Sequence, residues 1–144
     1  IVKEGKEQHF WSDGSPRAER FHAGGLATGR WRTWHANGSL RSDYTYADDV
    51  REMLFYFEDG TPEARGAAVH GVRTGVWTWG HPDGTGKQEG SYVEGRKHGR
   101  FTIRHPGGAL KSRGLYRADQ RVGEWKHWPA SPATRESDWS APGG

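Results

Sequence analysis

A beat of two dozen residues constrains this chain more than anything else in it. Turn glycines fall at Gly14, Gly38, Gly60, Gly84 and Gly108, separated by 24, 22, 24 and 24 residues, and the next position in phase is Pro132. Four of the five follow Asp13, Asn37, Asp59 or Asp83, and the fifth follows Gly107. Nine residues before the turn position stands another glycine (Gly5, Gly29, Gly75, Gly99, Gly123), with Arg51 the exception. Seven before it stands Trp31, Met53, Trp77, Phe101 or Trp125, with Glu7 the exception. Eight after it come Tyr46, Tyr92 and Tyr116, with His22 and Ala68 in the other two repeats. Self-similarity at a fixed period means stacked copies of one supersecondary unit, each unable to bury its apolar face alone.

The unit itself reads as a β-hairpin. Asn37-Gly38 between alternating residues predicts a two-residue type I′ turn, whose central positions both need φ > 0. Period two then assigns faces. Trp31/Thr33/His35, Met53/Phe55/Phe57, Trp77/Trp79/His81, Phe101/Ile103/His105 and Trp125/His127/Pro129 share one face. In that register Trp31 opposes Tyr44, Thr33 opposes Ser42 and His35 opposes Leu40. Met53, Trp77 and Phe101 oppose Gly66, Gly90 and Gly114, so a large side chain is expected to cover bare backbone across the hairpin. The other face carries Phe10, Trp34, Tyr56 and Trp128 at one position, with Gly80 and Arg104 between.

These residues resemble the MORN repeat in its short variant, a glycine, two aromatic positions and an Asn/Asp-Gly turn followed by a Tyr-x-x-Gly link. The match is best at Gly29–Gly38, Gly75–Gly84 and Gly123–Trp128, with the link Tyr92–Gly99, and it covers about residues 5–128. The resemblance implies an all-β fold: an elongated single-layer antiparallel meander of stacked hairpins, with five to six repeats of about 24 residues. It also implies protein–protein contact or self-assembly. Some bacterial relatives carry an antitoxin or immunity label, and an anionic membrane has been proposed as the target of eukaryotic ones. Residues 1–128 are expected to form the repeat domain. Residues 129–144 are expected to form a Pro/Ser/Ala-rich tail or cap in which Trp139 alone could anchor against the last hairpin.

Composition agrees with a thin fold. Leu, Ile, Val and Phe total only 19 of 144 residues, but 8 Trp and 5 Tyr, all except Trp139 within the repeats, supply the missing apolar area. The absence of Cys excludes disulfides and thiolate metal sites. No apolar run approaches the roughly 18 residues of a membrane-spanning helix.

Chemistry is sparse. His35, His81 and His105 share a repeat position, but equivalent positions lie two strands apart, roughly 9–10 Å. One zinc needs its ligands at about 2.0–2.1 Å, so no metal site and no cofactor is expected. No nucleophile elbow, phosphate loop, zinc-binding helix or paired carboxylates appear, and repeat surfaces are expected to be shallow, so neither an enzyme nor a small-molecule substrate is expected. Residues 43–63 hold seven acidic residues against Arg51, whereas residues 95–128 hold nine Lys/Arg against Asp119 and Glu124. The segment Met53–Phe57 is apolar on both faces and lies where the repeat runs two residues short.

The favoured reading is a non-catalytic protein-interaction or assembly module, in which Phe10, Trp34, Leu54 and Tyr56 contact a protein partner or a second copy. The alternative is a peripheral module meeting anionic membrane through Arg96, Lys97, Arg100, Arg104, Lys111 and Arg113. Nucleic acid is disfavoured, because the basic residues follow the repeat rather than forming one compact patch.

Overall fold

Short alternating segments punctuated by glycine favour strands over helices, and the computed structural model bears this out. It describes residues 4–130, where every regular element is a strand. In chain order these are β1 (Gly5–Phe10), β2 (Pro16–Ala23), β3 (Leu26–Trp34), β4 (Leu40–Ala47), β5 (Val50–Tyr56) and β6 (Pro62–Val69). There follow β7 (Val72–Gly80), β8 (Gly86–Val93), β9 (Arg96–Lys97), β10 (Gly99–Arg104), β11 (Leu110–Arg117) and β12 (Gln120–His127). All pair antiparallel in one sheet, in sequence order, with β9 and β10 both lying against β8. This is the expected meander. Residues 131–144, including Trp139, lie outside the described residues.

The turns differ from the expectation, and the exchange is instructive. At the Asn-Gly and Asp-Gly positions the loops have three residues, not two. The His35 N–H donates to the Ser39 carbonyl at 2.8 Å and the Gly38 N–H to the His35 carbonyl at 3.0 Å. Gly38 has φ +91° while Asn37 stays at negative φ, so this is a tight turn closed by a left-handed glycine rather than a type I′ turn. The Asn37 side chain faces forward instead. Its Oδ1 accepts the Ser39 N–H at 2.9 Å and the Ser39 hydroxyl at 2.7 Å. Asp13, Asp59 and Asp83 each accept the N–H of the Ser or Thr two residues on in the same way. The two-residue turns with φ > 0 at both positions occur at the other end of the sheet, in the links Gly24-Gly25, His70-Gly71, Glu94-Gly95 and Ala118-Asp119.

The second irregularity explains the short repeat. Where one hairpin meets the next, the pairing changes from Phe21 opposite Thr28 to Glu19 opposite Arg32, which leaves two extra residues on β3. The same two-residue expansion separates β6 from β7 and β11 from β12, at Gly75 and Gly123, and it recurs at Gly99 between β9 and β10. These glycines, with Gly29, sit at φ +66° to +92°. Between β4 and β5 the register runs unbroken from Ser42–Phe55 to Ala47–Val50. The two residues missing from that repeat are the expansion, and Arg51 stands where no left-handed glycine is needed.

The core lies on the predicted face. Trp77, Tyr92 and Phe101 are buried, with Met53, Phe55, Trp79, Tyr116 and Trp125 packed against them. Phe101 and Trp77 are 0% and 1% exposed, although only one sheet is present. Glycine supplies the depth. Met53–Gly66, Trp77–Gly90 and Phe101–Gly114 are opposed as expected. The ring covering each glycine nevertheless comes from the following hairpin, because a Cβ added at Gly66, Gly90 or Gly114 would fall within the ring of Trp77, Phe101 or Trp125. Each ring thus locks its hairpin onto the previous one. The Trp77 indole N–H completes the lock by donating to the Ala67 carbonyl at 2.9 Å, and Trp31 and Trp125 donate to Phe21 and Leu115 likewise.

The three in-phase histidines serve the same purpose. Nε2 of His35, His81 and His105 donates to the carbonyls of Tyr56, Arg104 and Trp128 in the next hairpin, at 2.8, 2.8 and 2.9 Å. They staple neighbouring hairpins. Among the described residues no group of three or more His, Cys, Asp or Glu is placed to hold a metal ion.

Candidate binding faces

The sheet offers two faces, and each half of the chain treats the ring face differently. At the position where later hairpins have Gly66, Gly90 and Gly114, the first two have Arg20 and Tyr44. With side chains in those places no ring can lie flat on the backbone, and Trp31, Tyr44 and Tyr46 are left half-buried. Trp31 instead meets His22 edge-on and Tyr46 at a tilt, both at 5.1 Å, while Tyr44 meets Phe55 at 5.5 Å. The result is a cleft of about 1190 Å³ over β1–β6, with Trp31, Tyr44, Tyr46, Phe55, Arg41 and Arg51 in its wall and Glu58 and Glu63 at its rim. Burial pushes the Tyr44 hydroxyl above its ordinary pKa, with the nearby Arg51 opposing the shift.

A file of cations runs along the ring face, and sequence reasoning missed it. Arg51, Arg73, Lys97 and Arg121 stand opposite Tyr46, Ala68, Tyr92 and Tyr116, the same register position in four successive links. Arg51 lies over Tyr44 and Tyr46, Arg73 over Trp77, Trp79 and Tyr92, Lys97 over Phe101 and Tyr116, and Arg121 over Trp125, all 4.2–5.8 Å from the ring centroids. The readable signal was a Lys or Arg two residues past every link turn but the first, which has Ala27 there. Counting back from the turn glycine concealed it, since Arg51 falls two places out of phase with the rest.

On the outer face one row of opposed residues crosses the whole sheet. It reads Gln8, Glu19, Arg32, Asp43, Leu54, Arg65, Thr78, Glu89, Thr102, Arg113, Lys126. Its first part is an ion-pair lattice: Lys6–Glu19 at 3.0 Å, Arg32–Glu19 at 2.7 Å, and Arg30–Asp43 at 2.7 Å. Hydrogen bonding to Lys6, then to Arg32, holds the Glu19 carboxyl below its ordinary pKa against the opposing effect of burial.

Leu54 is the lone apolar member of this row, between Asp43 and Arg65. Phe10, Trp34 and Tyr56 belong to the next row toward the turns, opposite Pro16, Leu40 and Pro62. The structure therefore puts three of the four expected contact residues in line and sets Leu54 one step inward among charges. Phe10 is 53% exposed, and the other three are half-buried by neighbours in the sheet rather than by a second layer. The line ends at Gly80, where a Cβ would come within 2.6 Å of the Pro62 carbonyl.

The six expected anion-binding residues do not share a face. Arg100, Arg104 and Arg113 alternate with ring-face residues and so lie on the outer side, whereas Lys97 turns inward over Phe101 and Tyr116. Arg96 flanks a link turn, and Lys111 is the extra residue between Leu110 and Ser112. The Arg104 guanidinium is engaged in part by the Gly108 carbonyl at 2.9 Å.

Residues 27–48, the hairpin of β3 and β4, match the MORN repeat variant. The chain contains a MORN repeat. Its other hairpins keep the turn glycine, the place of Trp31 is held by Trp77, Phe101 and Trp125 but by Glu7 and Met53 in the first and third hairpins, and MORN repeats are generally modules that bind proteins or membranes. No curated protein matches. Among solved structures, the chain is similar to one described as the crystal structure of TarM, at 12% identity and a TM-score of 0.45 over 74% of this chain and 21% of that one. It is also similar to a mutant of S. aureus TarM in complex with Fondaparinux, alpha-GlcNAc-glycerol and UDP, at 11% identity and a TM-score of 0.43 over 65% of this chain and 19% of that one. The chain spans about a fifth of the length of these structures.

Proposed function

We propose that the chain is a non-catalytic module that binds a protein partner through its first three hairpins. The observation carrying this reading is the open ring face between β1 and β6, where Arg20 and Tyr44 replace the glycines that let later rings close over the backbone. Half-buried aromatics flanked by arginine are the composition of a protein contact centre. The turn-side row Phe10–Trp34–Tyr56, with Leu54 beside it, gives the same hairpins a second contact on the outer face.

The test uses the whole chain as bait in native extract, with two variants checked for an unchanged far-ultraviolet spectrum. One is Arg41→Ser with Tyr44→Ser on the ring face, and the other is Leu54→Ser with Tyr56→Ser on the outer face. Loss of capture by one variant identifies the contact face. Undiminished capture by both, with folding intact, removes the reading.

A second reading has its own support. Arg100, Arg104, Arg113 and Lys126 lie on the outer face of the last two hairpins, none of them ion-paired with a described residue, which suits a peripheral contact with anionic lipid. Flotation with phosphatidylserine vesicles at low and high salt tests it, and binding that ignores either variable rejects it.

A further inference from the structure

The geometry points to a track on the ring face for an extended acidic peptide, with Arg51, Arg73, Lys97 and Arg121 as its charge contacts. The inference rests on the reading of the chain as a protein-binding module and names the chemistry of what it takes.

Three observations converge on it. The four cations hold one register position in successive links, although Arg51 is out of phase in sequence, so position on the face is kept where spacing along the chain is not. Their own surroundings leave the charges available: none is ion-paired with a described residue, and Arg51 and Arg121 are steadied by the Tyr46 and Tyr116 hydroxyls at 3.1 and 3.4 Å. Arg73 and Arg121 are exposed, and Arg51 and Lys97 are half-exposed beside their rings.

Spacing selects the ligand. Equivalent positions of neighbouring hairpins lie two strands apart, roughly 9–10 Å, and one turn of an extended polyproline II chain, three residues at about 3.1 Å each, covers about 9 Å with every third side chain on the same side. A peptide laid across the strands with an acidic residue at every third position would thus meet one cation per hairpin. Single-stranded nucleic acid fits less well, since it needs open aromatic platforms for its bases. Trp77 and Phe101 are 1% and 0% exposed; Trp77 stacks on Trp79, Phe101 meets Tyr92 edge-on, and Arg73 and Lys97 lie over them.

Capping the rings is a sufficient structural use for these side chains, so the test must separate charge from cover. Replacing Arg73, Lys97 and Arg121 by Met keeps an apolar stem over each ring and removes the charge. The probe is a fluorescein-labelled peptide of about 18 residues with Glu at every third position and Ser and Gly between, read by anisotropy. Controls are the same composition with its Glu clustered, and the same spacing with Lys.

The spaced Glu peptide is expected to bind in low salt and to weaken as salt rises. The triple Met variant is expected to bind it on the order of tenfold more weakly, from three charge contacts of a few-fold each. Arg73→Lys with Arg121→Lys is expected to stay within about twofold of the native chain. Hydrogen exchange on the native chain should show peptide protection at the link ends of β7, β9 and β12, a readout that stands even if the triple variant melts.

Equal binding by a folded triple variant overturns the proposal, as does equal binding of the clustered or Lys peptide, or protection confined to β1–β4. Tighter binding of an oligonucleotide or of phosphatidylserine vesicles with the same residue dependence assigns the track to another polyanion. If no peptide binds while partner capture persists, this inference falls and the protein-binding reading stands.

Discussion

The hairpin of β3–β4 and those of β7–β12 share turns, staples and ring positions, yet only the latter close into a core. One position makes the difference. Gly90 and Gly114 admit Phe101 and Trp125 onto the bare backbone, whereas Arg20 and Tyr44 hold Trp31 and its neighbours partly off it. A single-layer sheet has no second sheet to bury its rings, so the absence of a side chain on one strand becomes the depth that buries the ring of the next. Where the glycine is given up, rings stay open and a cleft results. The same comparison explains the edge strength of the repeat, since each ring and each histidine reaches forward or back by one hairpin and couples nearest neighbours.

The comparison breaks most visibly at the rings. Phe101→Ala should cost about 3–5 kcal/mol, the value for truncating a fully buried aromatic. Trp31→Ala, at the matching position of the open half, should cost about half as much, because its ring already meets solvent. Equal losses by chemical denaturation would show that the two halves are packed alike. The glycines give the complementary test. Gly90→Ala would drive a methyl into the Phe101 ring and should cost about 1–3 kcal/mol, while Tyr44→Ala at the matching place should cost about 1 kcal/mol.

Much of this was legible before any coordinates. Period, strand faces and the Met53–Gly66, Trp77–Gly90 and Phe101–Gly114 register follow from spacing, because a strand has period two and the glycines mark the beat, whereas the meander order was implied by the resemblance to the MORN repeat. The turn types were not legible from Asn37-Gly38, since the dipeptide suits both a two-residue and a three-residue loop. Ser39, Thr61 and Thr85, each able to donate to the preceding Asp or Asn, were the deciding residues. The source of each covering ring was hidden for a different reason. Opposition across a hairpin is a statement about backbone, and the two-residue expansions at Gly75, Gly99 and Gly123 swing the next ring over the glycine. At the candidate sites, period sets Phe10, Trp34 and Tyr56 at one repeat position, but the charges around Leu54 come from β4 and β6 and needed the pairing to be seen. The cation file needed it too.

The staples predict sameness where the rings predict difference. His35→Ala and His81→Ala each remove one donor to a carbonyl of the next hairpin and should cost about 1 kcal/mol in either half. A marked inequality would mean that the halves differ in backbone as well as in ring cover. A smaller effect of opposite sign is expected at Ala118, which is held at φ +47° in the last link turn where Gly24, at φ +59°, occupies the first. Ala118→Gly removes the left-handed strain but adds freedom to the unfolded chain, for a net gain of about 0.5 kcal/mol in thermal melts.

The least effect per site concerns acid. Asp13, Asp59 and Asp83 lie below the ordinary Asp value of 3.8, chiefly through hydrogen bonds from the Ser15, Thr61 and Thr85 side chains and then from their backbone N–H groups. A carboxyl depressed by folding contributes stability that is complete above its unfolded pKa and lost as pH falls through the folded one. The three turns should therefore weaken together below about pH 4 and not above it. Asn37 is the natural control, since its Oδ1 accepts the same pair of bonds from Ser39 without titrating. Asp83→Asn should accordingly leave the melting temperature at pH 7 nearly unchanged and make the acid limb shallower. A large loss at pH 7 would show that the charge of Asp83 holds the turn rather than the geometry that Asn37 shares with it.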